Sequence, residues 1–277
     1  MRTVAKFPPE LGIEEFETVM VNQYGEIIQH KKCRCKTYLE DLGGGMSLEL
    51  VEVPGEAFMM GTGGFGGYED ERPSHWVQVP AFLIGKYPVT QQQWNQVTRK
   101  EKPFRSMGPW RPADRISWMD AEAFCKALSK KSGRPYRLPG EAEWEYACRA
   151  GSGTAFHFGE TITTDLANYV GEFTYQNEPK GIYRHVSTEV GQFPPNAFGL
   201  YDMHGNIWEW CADDWHDNYT GAPVDGSAWK SRYETVFRVL RGGSWHEPPI
   251  NCRSATRLKM DAREADDLFG FRVALGG

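Results

Sequence analysis

An α+β fold, irregular and rich in loops, is predicted from three features of the sequence. Apolar and polar residues alternate through residues 15 to 53, the period of strands with one buried face. Three stretches between residues 90 and 151 carry apolar side chains at helical spacing between recognisable caps. Beyond residue 151 no long amphipathic helix appears, and glycine, proline and aromatic residues break the chain into turns and short strands. Strands and helices that cluster separately favour small antiparallel sheets packed against helices over a βαβ succession.

In chain order, "FETVMVNQYGEIIQ" has β-rich arms around Asn22, Gln23, Tyr24 and Gly25, and "MSLELVEVP" alternates again before Pro54. The glycine-rich "GTGGFGGYEDERP" lacks the Lys-Ser/Thr and the following helix of a phosphate cradle, so it reads as a surface loop. "HWVQVPAFLIGKYPVT" gives two short strands, and Thr90 caps a helix over "QQQWNQVTRK". Ser117 caps a second, "SWMDAEAFCKALSKKSG", closed by Gly133. "RLPGEAEWEYACRAG" gives a third, with Pro139 near its start and Gly151 after its end. Short strands follow at "VLRGGSW" and "FGFRVAL". No repeat or low-complexity linker interrupts the chain, which divides into a hairpin extension (residues 1–45) and one compact domain (46–277).

Composition narrows the function. A net charge of −6 argues against a nucleic-acid binder, which needs a basic face. No apolar run approaches a membrane span, and "MRTVAKFPPELGIEEF" lacks the apolar core of a signal peptide, so a cytoplasmic location is expected. The six cysteines (33, 35, 125, 148, 211, 252) are then expected to be reduced. Cys33 and Cys35 are too close together for a zinc knuckle.

Six segments, "FMMGT", "ERPSHWVQVPAFLIGKYPVTQQQW", "RLPGEAEWEYACRAG", "PPNAFGLYDMHGNIWEW", "LRGGSW" and "GFRVA", occur in one order. That order resembles the formylglycine-generating enzyme (sulfatase-modifying factor) domain family over roughly residues 46 to 277. The resemblance implies an irregular C-type-lectin-like fold. It leaves activity open, because that family includes oxidising enzymes, sulfoxide synthases and binding proteins. It also implies structural calcium. Asp202 and Glu209 would offer carboxylates and Gly205 and Ile207 carbonyls, a set of oxygen donors suited to a hard cation. The alternative is that both acids accept hydrogen bonds in a metal-free loop. His204 is taken as structural. For the family's other calcium site, Asn168 and Tyr169 match the first half. Ile182 stands where an aspartate belongs, with Arg184 as the last carbonyl, which weakens that site.

The family's copper(I) chemistry rests on two cysteines five positions apart after the GGS motif, a bis-thiolate suited to a soft metal. Here the window is "GGSWHEPPINC". Ser244 matches an active-site serine and Cys252 the second cysteine, but Glu247 occupies the first position, so no redox metal is expected. The sulfoxide synthases' iron ligands lie mostly on a helical bundle for which the N-terminal segment is too short. None of the seven histidines (30, 75, 157, 185, 204, 216, 246) forms an i,i+4 pair. A His246–Cys252 nucleophile lacks an orienting third group.

The last stretch to place is Trp245 to Phe269, which shows neither helical nor strand period between flanks that match the family. This arrangement resembles the variable proteins of diversity-generating retroelements, whose scaffold displays a rewritten C-terminal segment. The resemblance points His246, Glu247, Pro248, Ile250, Thr256, Leu258, Lys259, Asp261, Asp266 and Leu268 outward toward a protein ligand. Trp245, Cys252, Arg253, Ala255, Arg257 and Phe271 would be framework, with Arg253 and Arg257 bonding loop carbonyls. Glu247, Lys259, Met260 and Glu264 cannot arise by adenine-directed change of AAC-type codons. The expectation is a non-catalytic ligand-binding protein; the alternative is an oxidoreductase of this family with altered metal chemistry.

Overall fold

The computed structural model describes residues 11–63, 66–233 and 235–277. Gly64 and Phe65 of the glycine-rich loop lie outside them, as does most of the stretch weighed above as a signal peptide.

The largest sheet has six strands in the order β1 (Gly12–Val21), β2 (Ile27–Gly43), β3 (Met46–Val53), β6 (Phe82–Gly85), β12 (Ala274–Gly276) and β7 (Tyr136–Arg137). The hairpin β1–β2 turns at Asn22–Gly25, where the Gly25 N–H donates to the Asn22 carbonyl. Its second strand pairs with β3 from Thr37↔Val51 to Gly43↔Met46, so the hairpin continues the main sheet. Two further bonds tie it down: Thr18 Oγ1 to the Pro195 carbonyl at 2.6 Å and Val21 N–H to the Phe158 carbonyl at 2.8 Å. A four-stranded sheet follows the order β10 (Arg257–Asp261), β9 (Phe237–Arg241), β8 (Trp208–Asp214) and β11 (Phe269–Gly270), with β11 parallel to β8. The strands β4 (Glu56–Met60) and β5 (His75–Val79) form a separate pair.

Three helices pack on these sheets. Thr90 and Ser117 close reciprocal caps on α1 (Gln91–Thr98) and α2 (Trp118–Ser132), each satisfying two otherwise orphaned backbone N–H groups. Gly133 ends α2 at φ 74°. Helix α3 (Glu141–Arg149) ends at a left-handed cap, Ala150 at φ 44°, with Gly151 following it. Among the described residues no helix is long and apolar enough to cross a membrane.

The segment after Trp245 departs from the expectation of no regular structure. Pro249–Cys252 forms a 3-10 turn, and β10 pairs with β9 from Arg257↔Arg241 to Asp261↔Phe237. The strand was hidden because its partner, not an alternating pattern of its own, defines it.

Candidate ligand-binding site

The glycines after β9 determine how the site is built. Gly242 and Gly243 hold φ 98° and 78°, and a Cβ on Gly243 would meet the Cys252 sulfur at 2.6 Å. Only glycine permits so close an approach in that conformation. The turn places Ser244 and Trp245 inside and His246 outside. Glu247 is half-buried. It accepts a bond from Asn251 Nδ2 at 2.7 Å and another from Trp208 Nε1 at 3.3 Å, and its carbonyl receives the Val170 N–H at 2.9 Å.

Cys252 is fully buried, with its sulfur 3.8 Å from the Pro248 carbonyl. Burial raises its pKa, and the charge of Glu247 adds to the effect. A thiol held protonated in this way is a poor nucleophile. Beneath it, His204 Nδ1 lies 2.7 Å from the Cys252 carbonyl while Nε2 accepts the His157 N–H at 3.1 Å. These contacts define the neutral Nδ1–H tautomer. Burial lowers the His204 pKa to about 4, so His204 is structural in this arrangement. All six cysteines are free thiols.

Aromatic side chains cluster at the residues before Glu247. Tyr183 bonds to His246 Nδ1 and stacks at 6.3 Å on Trp245, which has Arg105 4.7 Å above its ring. Arg105 is in turn paired with Asp267. Phe173 and Ile182 are exposed close by, joined to the site through the Val170 and Gly181 backbone. Sequence reading missed Tyr183, Phe173 and Arg105, which reach the site from other parts of the chain and carry no motif.

The predicted outward residues separate into groups. His246, Ile250, Lys259 and Asp266 are exposed, and Glu247, Pro248 and Asp261 are intermediate. Lys259 lies elsewhere from Glu247, 4.6 Å above the Phe237 ring and 3.6 Å from Asp217, in a cleft of about 370 Å³ walled by Trp215 and Trp229. Thr256 is corrected: it is buried, with its hydroxyl donating to the Ile250 carbonyl. Leu258 and Leu268 are corrected in part, because both are half-buried against the main core.

Trp245, Cys252, Arg253, Ala255, Arg257 and Phe271 are all buried. Both arginines bond loop carbonyls as expected, Arg253 that of Ile250 at 2.9 Å and Arg257 those of Asp70 and His216 at 2.6 and 3.0 Å, and each also pairs with a carboxylate. Arg253 makes a two-pronged pair with Glu71 at 2.6 and 2.8 Å, and Arg257 one with Glu141 at 2.6 and 3.0 Å.

The calcium ligands implied by the resemblance fit unevenly. Asp202 is buried, and burial pushes its carboxyl up to about 6 against the lowering effects of the Gly191 N–H and the Arg272 charge. Among the described residues it accepts bonds only from the Gly191 N–H at 2.8 Å and Asn206 Nδ2 at 3.2 Å. Gly205 brings the turn against Asn168, where a Cβ would lie 2.3 Å from the Asn168 carbonyl oxygen. The Gly205 carbonyl accepts the Ile207 N–H at 2.8 Å.

Glu209 does not fit. Both its oxygens are held by Arg272, at 2.6 and 2.7 Å, and one also takes the Trp144 indole N–H at 2.7 Å. At the other position Asn168 Oδ1 is buried without a hydrogen-bond partner, which suits a cation, but Ile182 is exposed and offers no side-chain oxygen. The Tyr169 hydroxyl is taken up by the Ile162 carbonyl at 2.9 Å, which leaves only its backbone for a ligand. No cluster of three or more His, Cys, Asp or Glu among the described residues could hold a metal ion.

Residues 44–276 match the family model described as the sulfatase-modifying factor enzyme 1-like domain. A bovine protein described as inactive C-alpha-formylglycine-generating enzyme 2 is 29% identical over 295 residues, covering 85% of this chain and 91% of that protein. The structure of PvdO from Pseudomonas aeruginosa is similar at 35% identity and TM-score 0.75, over 87% of this chain and 98% of that one. Treponema denticola variable protein 1 is similar in fold, with TM-score 0.75 and 24% identity over 87% and 99% of the two chains.

Proposed function

The chain belongs to the sulfatase-modifying factor enzyme 1-like domain family, and from that premise we propose that it binds a protein ligand and does not oxidise one. The observation that carries this reading is the pair of groups after the GGS motif. A carboxylate, Glu247, stands five positions before a single buried thiol, Cys252, whose neighbour is a carbonyl oxygen. Copper(I) prefers two soft thiolates, and one protonated thiol beside a hard oxygen does not supply them. The binding face is the aromatic surface around Glu247, His246 and Ile250. Its display on loops held by two sheets supports recognition, as does the shared fold of a variable protein. A structural calcium ion on Asp202 with the Gly205 and Ile207 carbonyls is part of the same proposal. Asp202 supports it, and the commitment of Glu209 to Arg272 weighs against it.

Copper(I) held by a coloured chelator tests the reading. The wild-type chain is expected to leave the metal on the chelator and to consume no oxygen with a cysteine-containing peptide. Glu247→Cys, which restores the pair of thiols, is expected to withdraw about one equivalent. Stoichiometric copper uptake with oxygen consumption by the wild type would overturn the proposal.

A further inference from the structure

What Glu247 receives can be argued one step further, on the reading that the chain binds rather than oxidises. We propose that the Glu247 carboxylate takes the guanidinium of an arginine presented by the protein ligand.

Other buried glutamates of this chain meet a cation inside the molecule. Glu71 has Arg253, Glu141 has Arg257, Glu145 has Arg149 and Arg241, and Glu209 has Arg272. Glu178, also without an arginine, is closed off by the Thr161 hydroxyl and two backbone N–H groups and is buried.

Glu247 differs from both cases. It is half-exposed, and its partners are two neutral donors, the Trp208 indole and the Asn251 amide; no basic side chain pairs with it among the described residues. Each oxygen keeps a lone pair, and the charge stays unmet in surroundings where water is partly excluded. A carboxylate of this kind gains most from a cation arriving with its own hydrogen bonds.

The walls favour a planar cation. Trp245 is buried, its ring already covered by the Arg105 guanidinium at 4.7 Å and by Tyr183, so the aromatic rings left to meet a ligand are those of half-buried Tyr183 and exposed His246. Guanidinium stacks on such faces and bonds a carboxylate through two parallel N–H groups, whereas an ammonium does neither as well. The chain's net charge of −6 also draws a basic partner.

Benzamidinium, a flat aromatic amidine, is the probe. Its binding to the full chain can be followed by saturation-transfer NMR, beside neutral benzamide and aliphatic n-butylammonium. Benzamidinium is expected to bind in a salt-sensitive way, and benzamide and n-butylammonium at least about tenfold more weakly. Glu247→Gln keeps the Asn251 and Trp208 neighbours and is expected to weaken benzamidinium by about the same factor while melting as the wild type does. Equal affinity for benzamide or n-butylammonium, unchanged binding by Glu247→Gln, or no binding of benzamidinium to the wild type would overturn the assignment. Such a failure, with the wild type still refusing copper, would remove the arginine and leave the binding reading intact. Copper uptake would remove both.

Discussion

Arg253 shows how single side chains hold the segment after Trp245. Its guanidinium is 4% exposed by side chain and spans Glu71, a residue 182 positions earlier, while Nε reaches the Ile250 carbonyl. Glu71 is buried, yet its pKa is lowered, because the Arg253 bonds and charge and the Thr62 hydroxyl outweigh the burial that opposes them. Removing one member of a buried pair leaves the other charge without compensation, a loss of about 3–5 kcal/mol. Glu71→Gln is therefore expected to destabilise the chain by about that amount in urea unfolding, with an unchanged denaturant slope. A loss under about 1 kcal/mol would mean that water already reaches Arg253. Glu71 lies at the end of the glycine-rich loop, so that loop braces the segment from Trp245 to Phe269 and is more than a surface connection.

Among the elements, the turn from Asp202 to Glu209 offers the clearest test of an ion. Asp202 and Asn206 both hold positive φ, 56° and 62°, a conformation that aspartate and asparagine tolerate better than other non-glycine residues and that gives the turn its tight backbone. If calcium stabilises the turn, millimolar calcium added after chelation should raise the melting temperature by several degrees. Saturation at about 100 Kd contributes ~2.7 kcal/mol, and each kcal/mol is worth about 2–4 °C in a chain of this size. Asp202→Asn should abolish the response. An unchanged wild-type melting curve would assign the turn to its hydrogen bonds and the Glu209–Arg272 pair alone.

This turn was recognisable in the sequence through its residues, and the helices through their caps. Thr90, Ser117 and Gly133 are local signals read within four positions of where they act. The rest depended on distant partners. Strand β10 exists because Arg257–Asp261 meets β9. Thr256 is buried because the Pro249–Cys252 turn brings the Ile250 carbonyl over its hydroxyl. Arg272 claims Glu209 across 63 positions. A motif indicates which oxygens could bind an ion; only the fold decides which of them an arginine has already taken.

At the scale of the whole molecule, buried acids and buried imidazoles titrate against each other. Burial raises Asp213 to about 7 and Asp202 and Asp114 to about 6. An acid raised in the folded state binds its proton there first, so these three add stability as pH falls from about 8 towards 5. His157 and His204 act in the opposite sense. Burial lowers both, so the unfolded chain takes up protons below about 6.5 that the folded chain refuses. Three carboxyls gained against two imidazoles withheld nearly cancel, and the melting temperature should change little between pH 8 and about 5.5. Below about pH 4.5 the lowered acids Glu71 and Glu141 dominate. Their stabilisation is present above the unfolded pKa and lost as acid protonates them, so stability should fall steeply there. His157→Gln separates the two sets, because it removes one imidazole and leaves every carboxyl in place. Melting temperature measured against pH should then climb on acidification from pH 7.5 to 5.5, relative to the flat wild type. A variant curve as flat as the wild type's would show that the plateau comes from groups that do not titrate, and not from two opposed sets.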